Sequence, residues 1–241
     1  MKLIVGGSTG FVATEVIRQA LSDPSITSIV AIGRRSVTAP SPSADPTTTS
    51  KLTSVVVPDA DWENYPAAVK TAIAGAGACI WTVAVTPDGL KTTPWETTVK
   101  TCRDYAIYAL KTMAAATSEK PFRFVYMSGV NAVRDPAEKP LLLGDYCVLR
   151  GEAENLVLEY ARTSGGAVEA AVAKPGVISG PGRETSFLRG VFLHGIVRLP
   201  KIRVDEIAAA MLHAVLSGFE DDTLSNPDMV RIGQGVLKKA T

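Results

Sequence analysis

Long apolar runs are missing from this 241-residue chain. No stretch approaches the roughly 20 apolar residues a membrane span needs, and Leu3-Ile4-Val5 after Met1-Lys2 is too short a run for a secretory signal. An excess of one charge is missing as well. Lys and Arg total 25 against 24 Asp and Glu, a formal net charge of +1, so no overall field draws the chain to nucleic acid or to an anionic membrane. The basic residues are scattered, apart from Arg34-Arg35 and Lys238-Lys239. Histidine is scarce, at two residues, and His194 has no evident partner, which favours a structural role. Three cysteines, Cys79, Cys102 and Cys147, cannot all pair, and no two have a metal-site spacing. No metal is therefore expected. Thiols stay reduced where glutathione and thioredoxin keep them so, and a cytoplasmic protein is the expectation.

What is present is an alternation. Short β-branched and apolar runs at 2–5, 28–32, 53–57, 79–85, 123–127 and 168–173 are separated by helical patterns at 10–21, 65–74, 95–116 and 146–163, with a further helix at 204–216. That order predicts an α/β fold: a doubly wound parallel Rossmann sheet with helices on both faces. A length of 241 residues, 46 % of them hydrophobic and 20 % charged, suits one dinucleotide-binding domain over 1–241. The Pro/Ser/Thr-rich stretch at 38–50 reads as a loop inserted after the second strand. No internal repeat is present.

The strongest motif is Val5-Gly6-Gly7-Ser8-Thr9-Gly10-Phe11-Val12-Ala13. It follows a strand and opens a helix, the context in which a glycine fingerprint carries meaning. Gly7 allows a tight turn, Gly10 admits a pyrophosphate close to the backbone, and Ala13 lets the helix pack on the sheet. Backbone N–H groups from Ser8 to Val12 at the helix start then face the phosphates. A bare strand-to-helix connection is the alternative. The second strand ends at Gly33 and is followed by Arg34 and Arg35, with no acid before Asp45. An NAD site normally puts Asp or Glu there. Two guanidinium groups suit a 2′-phosphate instead, so NADP(H) is the expected cofactor. After the third strand, Asp61 before Trp62 can accept from an adenine amino group; it can equally cap the next helix.

With these motifs in view, the chain resembles the atypical short-chain dehydrogenase/reductases, and most of all their small Tat-interacting-protein-like branch. The resemblance rests on Gly7-x-x-Gly10-x-x-Ala13, Arg34-Arg35, Asp61-Trp62-x-x-Tyr65-Pro66, Cys79-Ile80-Trp81 and Phe124-Val125-Tyr126-Met127-Ser128-Gly129. It continues through Arg150-Gly151-Glu152-Ala153-Glu154, Lys174-Pro175-Gly176-Val177 and the later Ile202-Arg203-Val204-Asp205-Glu206-Ile207-Ala208. It implies a Tyr-x-x-x-Lys pair after the fifth strand, with Tyr as general acid and Lys holding the nicotinamide ribose. Here that place holds Tyr146-Cys147-Val148-Leu149-Arg150. The i, i+4 spacing puts both side chains on one helix face. A cation about 4 Å from the phenolate contributes up to about 4 kcal/mol at an effective dielectric near 20, so Arg150 can acidify Tyr146; its length and planar fork put its placement in question.

The third catalytic candidate is Ser128, which either polarises a substrate carbonyl or satisfies the turn at the strand end, with Asn131 as a second donor. Pro175 and Val177 complete the expected cofactor bed, Val177 near the nicotinamide face. The apolar segment 179–201 reads as a substrate lid, a dimer face or a plain core helix, and a homo-oligomer stays open. The function that follows is an NADP(H)-dependent oxidoreductase for a small, largely apolar carbonyl or alcohol. A dinucleotide sensor without turnover, and a non-redox isomerase, epimerase or cyclase, are the competing readings.

Overall fold

The computed structural model describes residues 1–40, 49–117, 120–182 and 199–239. Its strands are β1 (Lys2–Gly6), β2 (Ser28–Gly33), β3 (Leu52–Val56), β4 (Ala78–Trp81), β5 (Phe122–Met127), β6 (Val168–Lys174), β7 (Val177–Ser179), β8 (Lys201–Arg203) and β9 (Thr223–Ser225). The helices are α1 (Phe11–Ser22), α2 (Ala67–Ile73), α3 (Trp95–Val99), α4 (Tyr105–Ala115), α5 (Gly144–Thr163), α6 (Val204–Ser217) and α7 (Asn226–Lys239). Seven strands form one parallel sheet in the order β3-β2-β1-β4-β5-β6-β9, and β7 pairs with β8 beside it. The chain moves outward from β1 to β3, then crosses back to β4 on the other side of β1. That reversal opens a crevice at the carboxyl ends of β1 and β4, where ligands of open α/β sheets bind.

Successive strand residues face opposite layers, so β1 feeds two cores at once. Leu3 and Val5 join Val16 and Ile17 of α1 and Ile207 and Met211 of α6 on one face. Ile4 joins Trp81, Phe124 and Tyr126, with Leu110 of α4 and Val157 of α5, on the other. Burying a side chain of this size contributes roughly 1.5–3 kcal/mol. α6 is anchored at its start by Glu206, whose carboxylate accepts from the Arg203 N–H at 3.0 Å and from Gln234 of α7 at 2.8 Å.

The expected α/β doubly wound architecture is present, with differences at particular elements. The strand expected over 79–85 stops at Trp81, where its neighbour β1 ends at Gly6; the Gly6 carbonyl accepts the last ladder bond from the Thr82 N–H at 3.0 Å and also the Thr82 hydroxyl at 2.8 Å. The helix expected over 95–116 contains a π-turn at Lys100–Asp104 between α3 and α4. β7, β8, β9 and α7 have no counterpart in the expected elements. Of the segment 179–201, residues 183–198 lie outside the described residues, and with them His194 and most of the expected lid; 41–48 of the expected loop lie outside likewise. Among the described residues no helix is long and apolar enough to cross a membrane, and no His/Cys/Asp/Glu group is arranged to hold a metal.

Candidate functional site

The glycine turn sits at the mouth of the crevice. Gly7 has φ +81°, and a Cβ there would stand 2.6 Å from the Thr82 hydroxyl oxygen. Both constraints demand glycine. The N–H groups of Gly7 and Ser8 donate to the Ile32 carbonyl at 2.9 and 3.1 Å, and the Gly10 N–H donates to Gly7 at 2.8 Å. Gly10 then caps α1 without a side-chain cap hydrogen bond, the arrangement in which a helix start receives an anion. Thr9 and Gly10 are exposed, Phe11 is half-buried, and Val12 is buried with Ala13 in the core. Ser8 turns inward. Its N–H is used on Ile32, and its hydroxyl is buried without a hydrogen-bond partner, 2.6 Å from where a Cβ on Gly33 would lie.

Arg34 and Arg35 project from the end of β2 and are exposed. The Arg34 Nε lies 3.9 Å from Asp59, both side chains being 74 % exposed, so that pair is weak and solvent-screened. Asp61 closes the short turn Asp59–Asp61 half-buried. Its neighbour Trp62 is core, only 2 % exposed. The indole stacks on Tyr105 at 5.6 Å and meets Trp81 and Tyr65 edge-on. Its packing beneath the sheet end, not the crevice surface, occupies the ring.

Tyr146 and Arg150 lie one turn apart on α5, beside the ends of β4 and β5. The Tyr146 hydroxyl donates to the Val85 carbonyl at 2.8 Å. Burial pushes its pKa up to about 12, and the positive charge of Arg150 pulls the other way. Arg150 is itself 4 % exposed. One of its nitrogens donates to the Met127 carbonyl, its guanidinium lies 4.8 Å over the Tyr126 ring, and Nη1 is buried without a partner. The π-turn belongs to this corner. The Cys102 sulfur accepts from the Val85 N–H at 3.3 Å, and its carbonyl accepts from the Tyr126 hydroxyl at 2.8 Å. Val85 is thereby held where Tyr146 reaches it.

Ser128 directly follows β5 and donates to Glu154 at 2.6 Å. Glu154 has no exposed surface and also binds Arg134 at 2.8 Å and Lys174 at 3.0 and 3.1 Å. Lys174 reaches on to the Ala132 carbonyl, and Arg134 to Thr223. A hydroxyl has one proton to donate, so Ser128 in this arrangement offers a substrate lone pairs, not a proton. Asn131 is exposed. Pro175 is buried with its carbonyl accepting from Val130, and the Val177 N–H donates to Pro200. Sequence reasoning missed the Glu154 cluster and the Val85–Cys102 contact. Glu154 had a legible signal, standing at i+4 from Arg150 on the same helix face; Val85 acts through its backbone and had none. A cavity of about 420 Å³ between α6 and α7, lined by Arg123, Glu169, His213 and Arg231 among others, opens at the opposite ends of β5 and β6.

Solved structures share this architecture. Vestitone reductase from alfalfa (Medicago sativa) superposes with a TM-score of 0.66 at 20 % identity, covering 93 % of this chain and 76 % of its own. A dTDP-glucose 4,6-dehydratase from Streptomyces venezuelae, solved with NAD, matches at TM-score 0.67 and 15 % identity over 99 % and 81 % of the two chains. A UDP-glucuronic acid 4-epimerase from Bacillus cereus, in complex with UDP-glucuronic acid and NAD, matches at 0.65 and 12 % over 93 % and 77 %. The likeness establishes the fold. No protein-family model matches the sequence, and no curated protein sequence matches it.

Proposed function

We propose that this chain is an NADP(H)-dependent oxidoreductase of the cytoplasm, acting on a small, largely apolar carbonyl compound or alcohol. One observation carries the reading: a half-buried tyrosine, Tyr146, already donates its hydroxyl to a carbonyl oxygen, that of Val85, at 2.8 Å. A substrate carbonyl that takes over this hydrogen bond, as the hydroxyl rotates away from Val85, meets a protonated general acid. With its pKa pushed up to about 12 by burial, Tyr146 holds its proton throughout the neutral range. The chain's groups fit a dinucleotide, because glycine at positive φ holds the turn tight against Thr82 and the α1 start at Gly10 has no side-chain cap, which suits a pyrophosphate. The first turn of α1 would hold the pyrophosphate, Arg34 and Arg35 the 2′-phosphate, and Asp61 the adenine amino group; Pro175 and Val177 would line the nicotinamide end. When bound, the nicotinamide would supply or take up hydride. Arg150 biases Tyr146 electrostatically from one turn away.

The test is NADPH consumption with a panel of apolar aldehydes and ketones. Wild-type turnover lost in Tyr146→Phe, with NADPH affinity unchanged, supports the reading; equal turnover by the variant contradicts it. A second reading, dinucleotide binding without turnover, is favoured by Ser128 giving its proton to Glu154 and by Arg150 turning to Met127. Multiple turnover by the purified chain rules it out.

A further inference from the structure

Asn226 opens α7, yet its side chain does not serve that helix. The Asp228 N–H donates to the Ser225 hydroxyl oxygen at 3.3 Å, so the helix start is capped one residue earlier. Asn226 is 5 % exposed and turns inward. Its Oδ1 accepts from the Gly176 N–H at 2.9 Å, and its Nδ2 donates to the Lys201 carbonyl at 3.1 Å, partners 50 and 25 residues away. A primary amide carries an acceptor and a donor in one plane. Asp lacks the donor and an apolar residue lacks both, so this pair of backbone partners accounts for asparagine here.

Gly176 is the middle of the turn Pro175-Gly176-Val177 between β6 and β7. On one side the Pro175 carbonyl accepts from the Val130 N–H at 2.9 Å, just past β5. On the other the Val177 N–H donates to the Pro200 carbonyl at 2.8 Å, just before β8. The fit is close: a Cβ on Gly176 would stand 2.1 Å from the Pro200 carbonyl oxygen. Beyond β7, a Cβ on Gly180 would come 3.0 Å from the Phe11 ring at the start of α1. The turn is thereby set against both the β5 end and the glycine turn. The bonds from Val130 and to Pro200 are backbone to backbone, whereas the bond from Gly176 is made to a side chain, that of Asn226.

Resting on the NADP(H) reading above, we propose that Asn226 is a positioning residue for the nicotinamide end of the ligand. It acts through Gly176, holding Pro175 and Val177 where they would line the nicotinamide. The adenine half, at the start of α1 and the end of β2, does not depend on it. Loss of the amide frees Gly176, moves the bed under the nicotinamide and leaves the adenine half in place.

Calorimetric titration of the full chain, wild type and Asn226→Ala, with NADPH and with adenosine 2′-phosphate 5′-diphosphate tests this. The variant is expected to bind NADPH about tenfold more weakly, and the adenine half-ligand within about twofold of wild type. A merely structural role moves both affinities together or neither. An equal loss for both ligands, or an unchanged NADPH affinity, therefore overturns the inference while leaving the NADP(H) reading standing. If Asn226→Ala does not melt cooperatively, Asn226→Asp carries the same comparison. It keeps the acceptor for Gly176 and loses the donor to Lys201, and about threefold weaker NADPH binding with the half-ligand unchanged is expected. No binding of NADPH by wild type at millimolar concentration overturns both.

Discussion

Tyr146 keeps its proton because partial burial costs a phenolate solvation that the charge of Arg150, one turn along α5, only partly restores. Its folded pKa, about 12, lies above the ordinary value of 10.0. Carbonyl reduction needs the protonated form. Its rate is therefore expected to be flat with respect to this group through neutrality and to fall as pH rises toward 12, while alcohol oxidation rises over the same window. The linkage has the same sign: the protonated tyrosine's contribution to stability is complete below about pH 10 and lost as pH climbs through the folded value. Tyr146→Phe leaves the Val85 carbonyl without its partner, an expected loss of about 1 kcal/mol in urea unfolding. Glu154 has no exposed surface and is held by hydrogen bonds and ion pairs to Ser128, Arg134 and Lys174. Glu154→Gln strands two cations that still reach solvent in part, and should cost about 3 kcal/mol, at the low end for a broken buried pair. A variant as stable as wild type in urea would show that the cluster does not hold the β5 end.

Elements meet here through glycines as much as through apolar side chains. Gly7 combines positive φ with close approach to Thr82, so Gly7→Ala should cost about 1–3 kcal/mol and abolish NADPH binding, read by melting temperature and fluorescence titration. Gly233 of α7 lies against the backbone of α6, where a Cβ would come 2.3 Å from the Glu206 carbonyl. Gly233→Ala should push the two helices apart at a cost of about 1–3 kcal/mol without changing nucleotide affinity; a parallel loss of affinity would mean that α6 and α7 support the crevice directly. These contacts explain what the sequence concealed. β1, β2 and β5 are runs of β-branched and aromatic residues and announce themselves. β7, β8 and β9 are three residues each, too short for any period to register. α7 buries Asn226, Met229 and Gly233, and its two glycines and early proline mask the helical signal. The π-turn at Lys100–Asp104 is set by tertiary bonds of Cys102 to Val85 and Tyr126, which no local pattern encodes.

At the scale of the molecule, the crevice exists because the chain reverses direction between β3 and β4; the alternation of strands and helices predicted a doubly wound sheet, while the place of the reversal came from the structure. The candidate site was legible only in part. Gly7, Gly10, Arg34, Arg35 and Tyr146 stand where strand–helix order places them. Trp62 sits in the core because three aromatic neighbours enclose it, and Ser128 points at an acid 26 residues away in sequence. Burial and long-range pairing of this kind depend on the whole fold. The central claim is that the chain binds NADP(H) through its glycine turn and the arginines after β2. Parallel fluorescence titrations with NADPH and NADH test it most directly. Saturable NADPH binding that is tighter than NADH binding, and that Arg34→Ala with Arg35→Ala removes, is the predicted result. Equal affinity for the two nucleotides in wild type and variant, or no binding of either at millimolar concentration, would contradict it.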